Sequence, residues 1–302
     1  MTEQGQGGEG ELTIGLLSPG DMGHTVGRVL LEAGIATITC LAGRSERTVA
    51  LARSAGIEAV DDEDELVRRA DLILSILVPD QAAATASRIR EAVVRTGADV
   101  LYVDANAISP ATTRAMAEEL STAGIDYVDA GIVGPPPTRP GVTRFYASGP
   151  AAARFAQAVS PALDVRVIGA EAGQASALKM TYAAMTKGFA LLGIGALLTA
   201  REMDVLEPLT EELALSQSAR LAMLENWIPS VGPKAHRWEG EMREIADTFE
   251  QAGQSGLFHR GAAEICAQVA ATTLGQESPE DRPDRDLATT IEMLGEGRVV
   301  NG

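Results

Sequence analysis

Two lysines interrupt the longest apolar stretch of the chain, residues 172–203. They are Lys179 and Lys187, and helical spacing would place them about 80° apart around the helix axis. A lysine ammonium held among apolar side chains can release or regain a proton near neutral pH, as a general acid or base must. These residues therefore predict proton-transfer chemistry. The alternative is a lysine that extends to the surface or pairs with an acid.

Tyr182 lies three residues after Lys179 and would share its helix face. A tyrosine there offers a second acid or an extra polar contact, although a tyrosine packed in the core fits the pattern equally well. Lys187 is the weaker acid/base candidate of the two lysines and is predicted to contact substrate.

A glycine-rich turn follows the first predicted strand and precedes an apolar-periodic helix. Such a turn lets the backbone approach a pyrophosphate, which then lies at the helix N-terminus. The usual pattern of three glycines is incomplete, because Ser18 stands at the first glycine position, before Gly20 and Gly23. The position between strand and helix favours a dinucleotide site over a structural turn. The predicted contacts are Ser18, Pro19, Gly20, Asp21, Met22 and Gly23.

Basic and hydroxyl side chains follow the second predicted strand at Arg44, Ser45 and Arg47. An NAD-selective fold would offer an acid there for the ribose 2′-hydroxyl, whereas guanidinium and hydroxyl groups suit the 2′-phosphate of NADP. We therefore predict NADP, with NADPH preferred over NADH. The alternative is that both arginines are solvated loop charges.

Short β-like runs alternate with amphipathic segments up to about residue 170, and helical patterns take over beyond it. This order predicts an α/β domain at 12–170 with a largely parallel sheet and helices on both faces, then an all-α domain at 171–302. The predicted strands are 12–17, 37–42, 72–77, 100–104, 127–130, 145–148 and 165–168. The clearest predicted helices between them are 48–55, 81–95 and 110–123.

The chain carries a net charge of -17, which disfavours nucleic acid and anionic membranes as partners. Its two cysteines lack metal-ligand spacing, so we expect no metal and a cytoplasmic protein. The uncharged run 188–200 falls short of the roughly 20 residues of a membrane span. Residues 1–11 are predicted to be a disordered tail, and 277–286 a surface linker before a last short helix.

Several motifs occur in an order that resembles the β-hydroxyacid dehydrogenase superfamily, which includes 3-hydroxyisobutyrate and 6-phosphogluconate dehydrogenases and, more distantly, imine reductases. They are IGLLSPGDMG, LVP at 77–79, VDANAISP at 103–110, VDAGIVGPPP at 128–137 and GQASALKMTYAAMTKG at 173–188. The resemblance implies a Rossmann domain with a doubly wound parallel sheet, a long interdomain helix, an all-helical second domain and a homodimer. It also implies an active site in the cleft between domains.

Within this resemblance, Lys179 matches the catalytic lysine, and the predicted cofactor contacts gain Leu77, Val78, Pro79 and Asn106. Asn106 is also a candidate for the catalytic set. The substrate loops depart from the family pattern. Val133-Gly134-Pro135 replaces the usual Ser-Gly-Gly, and proline removes one amide donor. Recognition of an ordinary short 3-hydroxy acid is therefore doubtful. The predicted substrate contacts are Ser109, Val133, Gly134, Lys187 and Trp238.

Three functions follow as hypotheses. The first is an NADP-dependent dehydrogenase or reductase acting on a hydroxyl or carbonyl substrate, with Lys179 as general acid/base. The second is an NADPH-dependent imine reductase with Tyr182 as proton donor. The third is a non-catalytic NADP-binding protein. A small-molecule substrate is the expected partner in the first two.

Overall fold

The computed structural model describes residues 12–139, 141–160, 162–278 and 284–297. The predicted tail at 1–11 lies outside these residues, and so does the middle of the predicted linker at 277–286. The chain divides into two compact units at the bond between Lys179 and Met180. The predicted boundary near residue 170 lies before the long helix Gln174–Glu202, whereas the first turns of this helix belong to the first unit.

The described part of the first unit contains one eight-stranded sheet in the order β3-β2-β1-β4-β5-β6-β7-β8. Its strands are β1 (Thr13–Leu17), β2 (Ala36–Cys40), β3 (Glu58–Val60), β4 (Leu72–Ser75), β5 (Leu101–Asp104), β6 (Asp126–Val133), β7 (Arg144–Ser148) and β8 (Asp164–Gly169). Strands β1 to β6 pair in parallel, whereas β7 runs antiparallel to β6. The predicted doubly wound, largely parallel sheet is confirmed, with β3 as an additional three-residue strand.

Six helices of the described first unit cover the sheet. They are α1 (Gly23–Glu32), α2 (Glu46–Ser54), α3 (Glu63–Arg69), α4 (Ala82–Thr96), α5 (Pro110–Ser121) and α6 (Ala152–Ala158). Alternate strand residues face opposite sides, so the sheet has two apolar cores. One core joins Leu16, Leu74 and Val103 to α1 and α6. The other joins Ile73 and Tyr102 to α3, α4 and α5.

The long helix α7 (Gln174–Glu202) contains both lysines of the apolar segment and has 29 residues, far more than the uncharged run suggests. By length and composition it could cross a membrane. However, 56% of its most apolar 18-residue window is buried inside the protein, and a buried core helix passes the same test.

The rest of the described chain is helical, as predicted. Its α-helices are α8 (Leu206–Ser216), α9 (Ser218–Trp227), α10 (Ala235–Gln251), α11 (Leu257–Ala270) and α12 (Leu287–Glu296). Pro208 lies in the first turn of α8, where no intrahelical amide bond is lost. The last short helix is α12.

Candidate functional site

The strand order reverses beside β1, whose neighbours are β2 and β4. In a parallel sheet this reversal opens a crevice at the carboxyl ends of the strands, which is the usual ligand position. The turn after β1, residues 77–79 after β4 and Asn106 after β5 all lie at this edge. The structure therefore brings three groups of predicted cofactor contacts to one place.

The turn after β1 adopts the dinucleotide-binding geometry despite its incomplete motif. Ser18 takes the left-handed conformation expected of glycine, with φ of 64°. A Cβ on Gly20 would meet nothing within 4 Å, so that backbone is open to a ligand. A Cβ on Gly23 would lie 2.4 Å from the Ser18 carbonyl oxygen, so only glycine lets the start of α1 approach the turn. This cradle fits a pyrophosphate.

The residues after β2 that are predicted to contact the 2′-phosphate already bond to other residues of the protein. Arg47 forms an ion pair with Asp21 of the glycine-rich turn. Ser45 is the N-cap of α2 and accepts a bond from the Thr48 amide at 3.3 Å. The Arg44 amide donates to the Leu41 carbonyl at 3.1 Å, which closes the turn after β2. Arg47 is thus paired with Asp21. Contact of the Arg44 guanidinium with the 2′-phosphate stays a prediction.

Asn106 is buried, and its side chain joins the ends of two strands. Its Oδ1 accepts from the Leu77 amide, and its Nδ2 donates to Ser75 Oγ at 2.9 Å. Its own amide donates to Asp104 Oδ1 at 2.8 Å. The structure thus uses Asn106 to hold the turn after β4. Direct contact with cofactor or substrate stays a prediction.

A row of buried polar side chains crosses four neighbouring strands in register. It comprises Ser75 on β4, Asp104 on β5, Asp129 on β6 and Ser148 on β7, each paired with the next. Each is at most 1% exposed. We call these four residues the polar row. Sequence reasoning missed it, because register between distant strands is invisible in the chain, although two of the predicted strands do end near an aspartate.

Asp129 is the most heavily bonded member of the polar row. Its Oδ2 accepts from Ser148 Oγ at 2.9 Å, from the Gly173 amide at 2.8 Å and from the Ser176 amide at 3.0 Å. Its Oδ1 accepts from Ser176 Oγ at 2.6 Å. A carboxylate with donors of this kind at a helix N-terminus stabilises the first turn. Asp129 therefore caps α7 from a neighbouring strand.

Lys179 lies in the second turn of α7, beside β6. A Cβ on Gly131 would be 2.9 Å from the Lys179 Cβ and 3.0 Å from the Ala175 carbonyl oxygen. The helix therefore rests on the strand where the strand has no side chain. Lys179 is itself half-buried.

The predicted substrate residues of the first unit lie at the ends of β5 and β6. Ser109 is buried as the N-cap of α5, and accepts from the Thr112 amide at 3.2 Å. Val133 is the buried last residue of β6. Gly134 has φ of 120°, and a Cβ there would lie 2.1 Å from the Val142 carbonyl oxygen, so this loop requires glycine. Their contact with a substrate stays a prediction.

Comparison with known families gives a match over residues 13–176 to the NAD binding domain of 6-phosphogluconate dehydrogenase. The match covers more than half of the chain. The chain belongs to this family. A second match, over residues 200–269, is to a domain of unknown function called DUF1932. The first unit is therefore a 6-phosphogluconate-dehydrogenase-type NAD-binding domain, and the glycine cradle described above fits its nicotinamide dinucleotide.

This NAD-binding family protein is similar to one protein by sequence and to several solved structures by fold. An uncharacterized 28.5 kDa protein of Methanothermus fervidus is 25% identical over 70% of this chain and 80% of its own length. Mycobacterium tuberculosis 3-hydroxyisobutyrate dehydrogenase, solved with L-serine, is 19% identical with a TM-score of 0.67, over 94% of this chain and 99% of that one. A Myxococcus stipitatus imine reductase, solved with NADP+, is 19% identical with a TM-score of 0.55, over 93% and 99%. Both solved structures support the β-hydroxyacid dehydrogenase-like fold.

In the NAD-binding domain, Asp104 carries an unusual carboxyl group. Burial raises its pKa to about 7. The charge of Asp129 also raises this pKa, whereas the hydrogen bond from the Asn106 amide lowers it. Asp129, the neighbour of Asp104 in register, accepts four hydrogen bonds. The raised pKa means that Asp104 takes up a proton near neutral pH, well above the usual range of an aspartate.

In the second unit, Lys187 has an internal counter-ion. Its Nζ forms an ion pair with Glu241 and lies 5.0 Å from the centroid of the Trp238 ring. The predicted substrate residues Lys187 and Trp238 are thus brought together. Glu241 neutralises the lysine, which reduces its use as an anion-binding group. Tyr182, three residues after Lys179 along α7, is 45% exposed.

Proposed function

We propose that the protein is an NADP-dependent oxidoreductase that transfers a hydride between the nicotinamide and a hydroxyl or carbonyl substrate, with Lys179 as general acid/base. The observation that carries this proposal is the position of Lys179, on α7, against β6 of an NAD-binding domain. There, Asp129 caps the helix that carries the lysine, and Gly131 lets this helix pack closely against the strand. A role in proton transfer explains a lysine held in this way in a dinucleotide-binding unit better than a role as a surface charge does.

NADPH supplies a hydride to the carbonyl carbon when it is bound. Lys179 would donate a proton to the carbonyl oxygen during reduction and take the hydroxyl proton during oxidation. Asn106 would keep the turn after β4 in place, and Gly134 would keep the loop after β6 in the conformation that packs against Val142. The departures in the Val133–Pro135 loop favour a substrate other than a short 3-hydroxy acid.

Specificity for NADP would come from Arg44. Its guanidinium suits the 2′-phosphate, while Arg47 balances the charge of Asp21 beside the pyrophosphate. Arg44→Asp should weaken NADPH binding at least about tenfold and NADH binding much less, since a charge-assisted bond becomes a repulsion. Calorimetric titration measures both affinities. Arg53→Asp, at the other end of α2, is the matched control, and equal losses for both cofactors would refute the assignment.

The role of Lys179 is tested by turnover. Lys179→Ala should lose at least about a hundredfold in kcat with propionaldehyde or pyruvate and NADPH, while the NADPH dissociation constant stays unchanged. Lys234→Ala is the control, because the chain has only three lysines. Near-normal turnover in Lys179→Ala would eliminate acid/base catalysis by this residue.

An imine reductase is the second candidate, favoured by the exposed hydroxyl-bearing ring of Tyr182 on the same helix. It predicts NADPH oxidation with pyrroline, and a much larger loss in Tyr182→Phe than in Lys179→Ala. Tight NADPH binding with no turnover of aldehyde, keto acid or imine would instead support a non-catalytic NADP-binding protein.

A cytoplasmic homodimer is proposed as the working state. In the second unit, α7 and α11 present an apolar groove of about 680 Å³ that includes exposed Leu192, Leu257 and Phe258. Exposed apolar surface of this kind is typical of an interface between proteins. A second copy of the chain is the proposed occupant.

A further inference from the structure

We propose that Asp129 and Gly131, on one face of β6, act together to position Lys179 for proton transfer, a role that rests on the function proposed above. Asp129 fixes where α7 begins and how it is rotated about its axis. Gly131 fixes how closely the helix approaches the sheet. Neither residue need touch the substrate, so both are positioning residues.

Asp129 binds both the backbone and the side chain of Ser176, in the first turn of α7. Ser176 donates its amide to Oδ2 at 3.0 Å and its hydroxyl to Oδ1 at 2.6 Å. Because these two bonds reach the two oxygens of one carboxylate, the start of α7 has little freedom to rotate about the helix axis. Ser148 completes the arrangement by accepting from the Ala175 amide at 3.0 Å. Because Lys179 follows Ser176 by about one helical turn, the same bonds set the direction of its side chain.

Gly131 lies two residues after Asp129 and therefore on the same face of β6. The atoms nearest to its missing Cβ are the Lys179 Cβ at 2.9 Å and the Ala175 carbonyl oxygen at 3.0 Å. The second is a backbone atom within α7 and cannot rotate away. An alanine at 131 would therefore push the helix itself outward by a few tenths of an ångström.

The polar row connects this arrangement to the cofactor edge of the same unit. Asp129 pairs in register with Asp104, and Asp104 in turn with Ser75. Asn106 binds both Asp104 and Ser75 and holds the Leu77 amide. One set of bonds therefore holds the turn after β4 and another holds the start of α7. The two sets lie on neighbouring strands, because Asp104 and Asp129 are paired in register.

The first experiment needs no substrate. Amide hydrogen exchange of apo Asp129→Asn should be at least about tenfold faster than wild type over residues 174–179, with α10 unchanged, because the cap bonds are charge-assisted. Asp126→Asn, on the exposed start of the same strand, is the matched control. Ser176→Ala should show a smaller change of the same kind and serves if Asp129→Asn fails to fold. Exchange within about twofold of wild type in both variants would overturn the role of Asp129.

The second experiment concerns Gly131→Ala, with Gly195→Ala on the same helix as control. Competitive acetylation with acetic anhydride, followed by peptide mass spectrometry, compares Lys179 with Lys234. The Lys179 rate should rise about threefold or more as the lysine is pushed from the strand. With propionaldehyde and NADPH, kcat should fall about tenfold at unchanged NADPH affinity, since small misplacements of a reacting group are costly.

An unchanged labelling ratio together with unchanged kcat would refute the role of Gly131. If the wild-type protein turns over none of the probes, the proposed function fails. Exchange and acetylation then still decide whether Asp129 and Gly131 position Lys179, so the two failures are distinguishable.

Discussion

Ser18 carries a left-handed backbone in a turn whose geometry suits glycine, with φ of 64°. Ser18→Gly should raise the free energy of unfolding by up to about 1 kcal/mol, because relief of the strained conformation exceeds the extra entropy of glycine in the unfolded chain. Ser18→Val should lower it by roughly 2 kcal/mol, because a β-branched side chain fits this region poorly. Denaturant unfolding measures both changes.

Asp204, in the second unit, is the matched control, since its φ is 56°. Asp204→Gly should stabilise the protein similarly and leave NADPH affinity unaltered. Ser18→Gly should also keep that affinity. A large loss of NADPH binding in Ser18→Gly would mean that the hydroxyl, rather than the turn geometry, holds the cofactor.

Asp104 makes the stability of the first unit depend on pH. Its pKa in the folded protein is about 7, raised from 3.8 by burial. The folded state therefore binds this proton more tightly than the unfolded chain, and the contribution of Asp104 to stability is lost as pH rises from about 4 to 7. Asp104→Asn should remove that part of the pH dependence, worth about 1.4 kcal/mol for each unit of the shift. Unfolding titrations at several pH values on both proteins would show it, and parallel pH profiles would contradict the assignment.

At the scale of elements, the chain's own patterns predicted the strand–helix alternation, because apolar periodicity and glycine turns are local signals. They predicted the glycine-rich turn for the same reason, whereas the catalytic role of Lys179 came from the family resemblance and stays a prediction. The cap of α7 was not predictable, since Asp129 lies 44 residues before Gly173 and meets it only after β6 and β7 have paired. Glu241 was unforeseen as the partner of Lys187 because 54 residues separate them. The short strand β3 was missed because two of its three residues are exposed.

The pair Lys187–Glu241 joins α7 to α10 within the second unit. Its side chains are only 19% and 7% exposed. Glu241→Gln should lower the free energy of unfolding by roughly 3 kcal/mol, because it leaves a buried ammonium without its counter-ion. The double variant Lys187→Met/Glu241→Leu should recover most of that loss.

Glu239→Gln is the matched control for this prediction. Glu239 pairs with Arg243 on the same helix, where their side chains are 32% and 57% exposed. Its loss should cost under about 0.5 kcal/mol, as for other surface ion pairs. Equal losses in the free energy of unfolding for Glu239→Gln and Glu241→Gln would show that burial does not determine how much the Lys187–Glu241 pair stabilises the protein. Chemical denaturation measures all three variants.

At the scale of the whole molecule, each copy carries a charge of -17, which would oppose the proposed dimer, whereas burial of the apolar groove would favour it. Sedimentation at micromolar protein should give about twice the mass of 31.5 kDa. Added salt should tighten association, because it screens the repulsion and leaves apolar burial intact. Leu257→Glu should shift the protein to monomer, whereas Val94→Glu, at an exposed apolar position of the first unit, should not. A monomer at every salt concentration would exclude the dimer.

The cap of α7 also has a consequence for the order in which the protein is made. Asp129 and Ser148, which accept from the start of α7, both precede that helix in the chain. As synthesis proceeds, β6 and β7 leave the ribosome before the first residue of α7. The acceptors for the helix amides are therefore already in the nascent chain when α7 emerges. The long apolar helix can begin on a finished sheet instead of waiting, uncapped, for later residues.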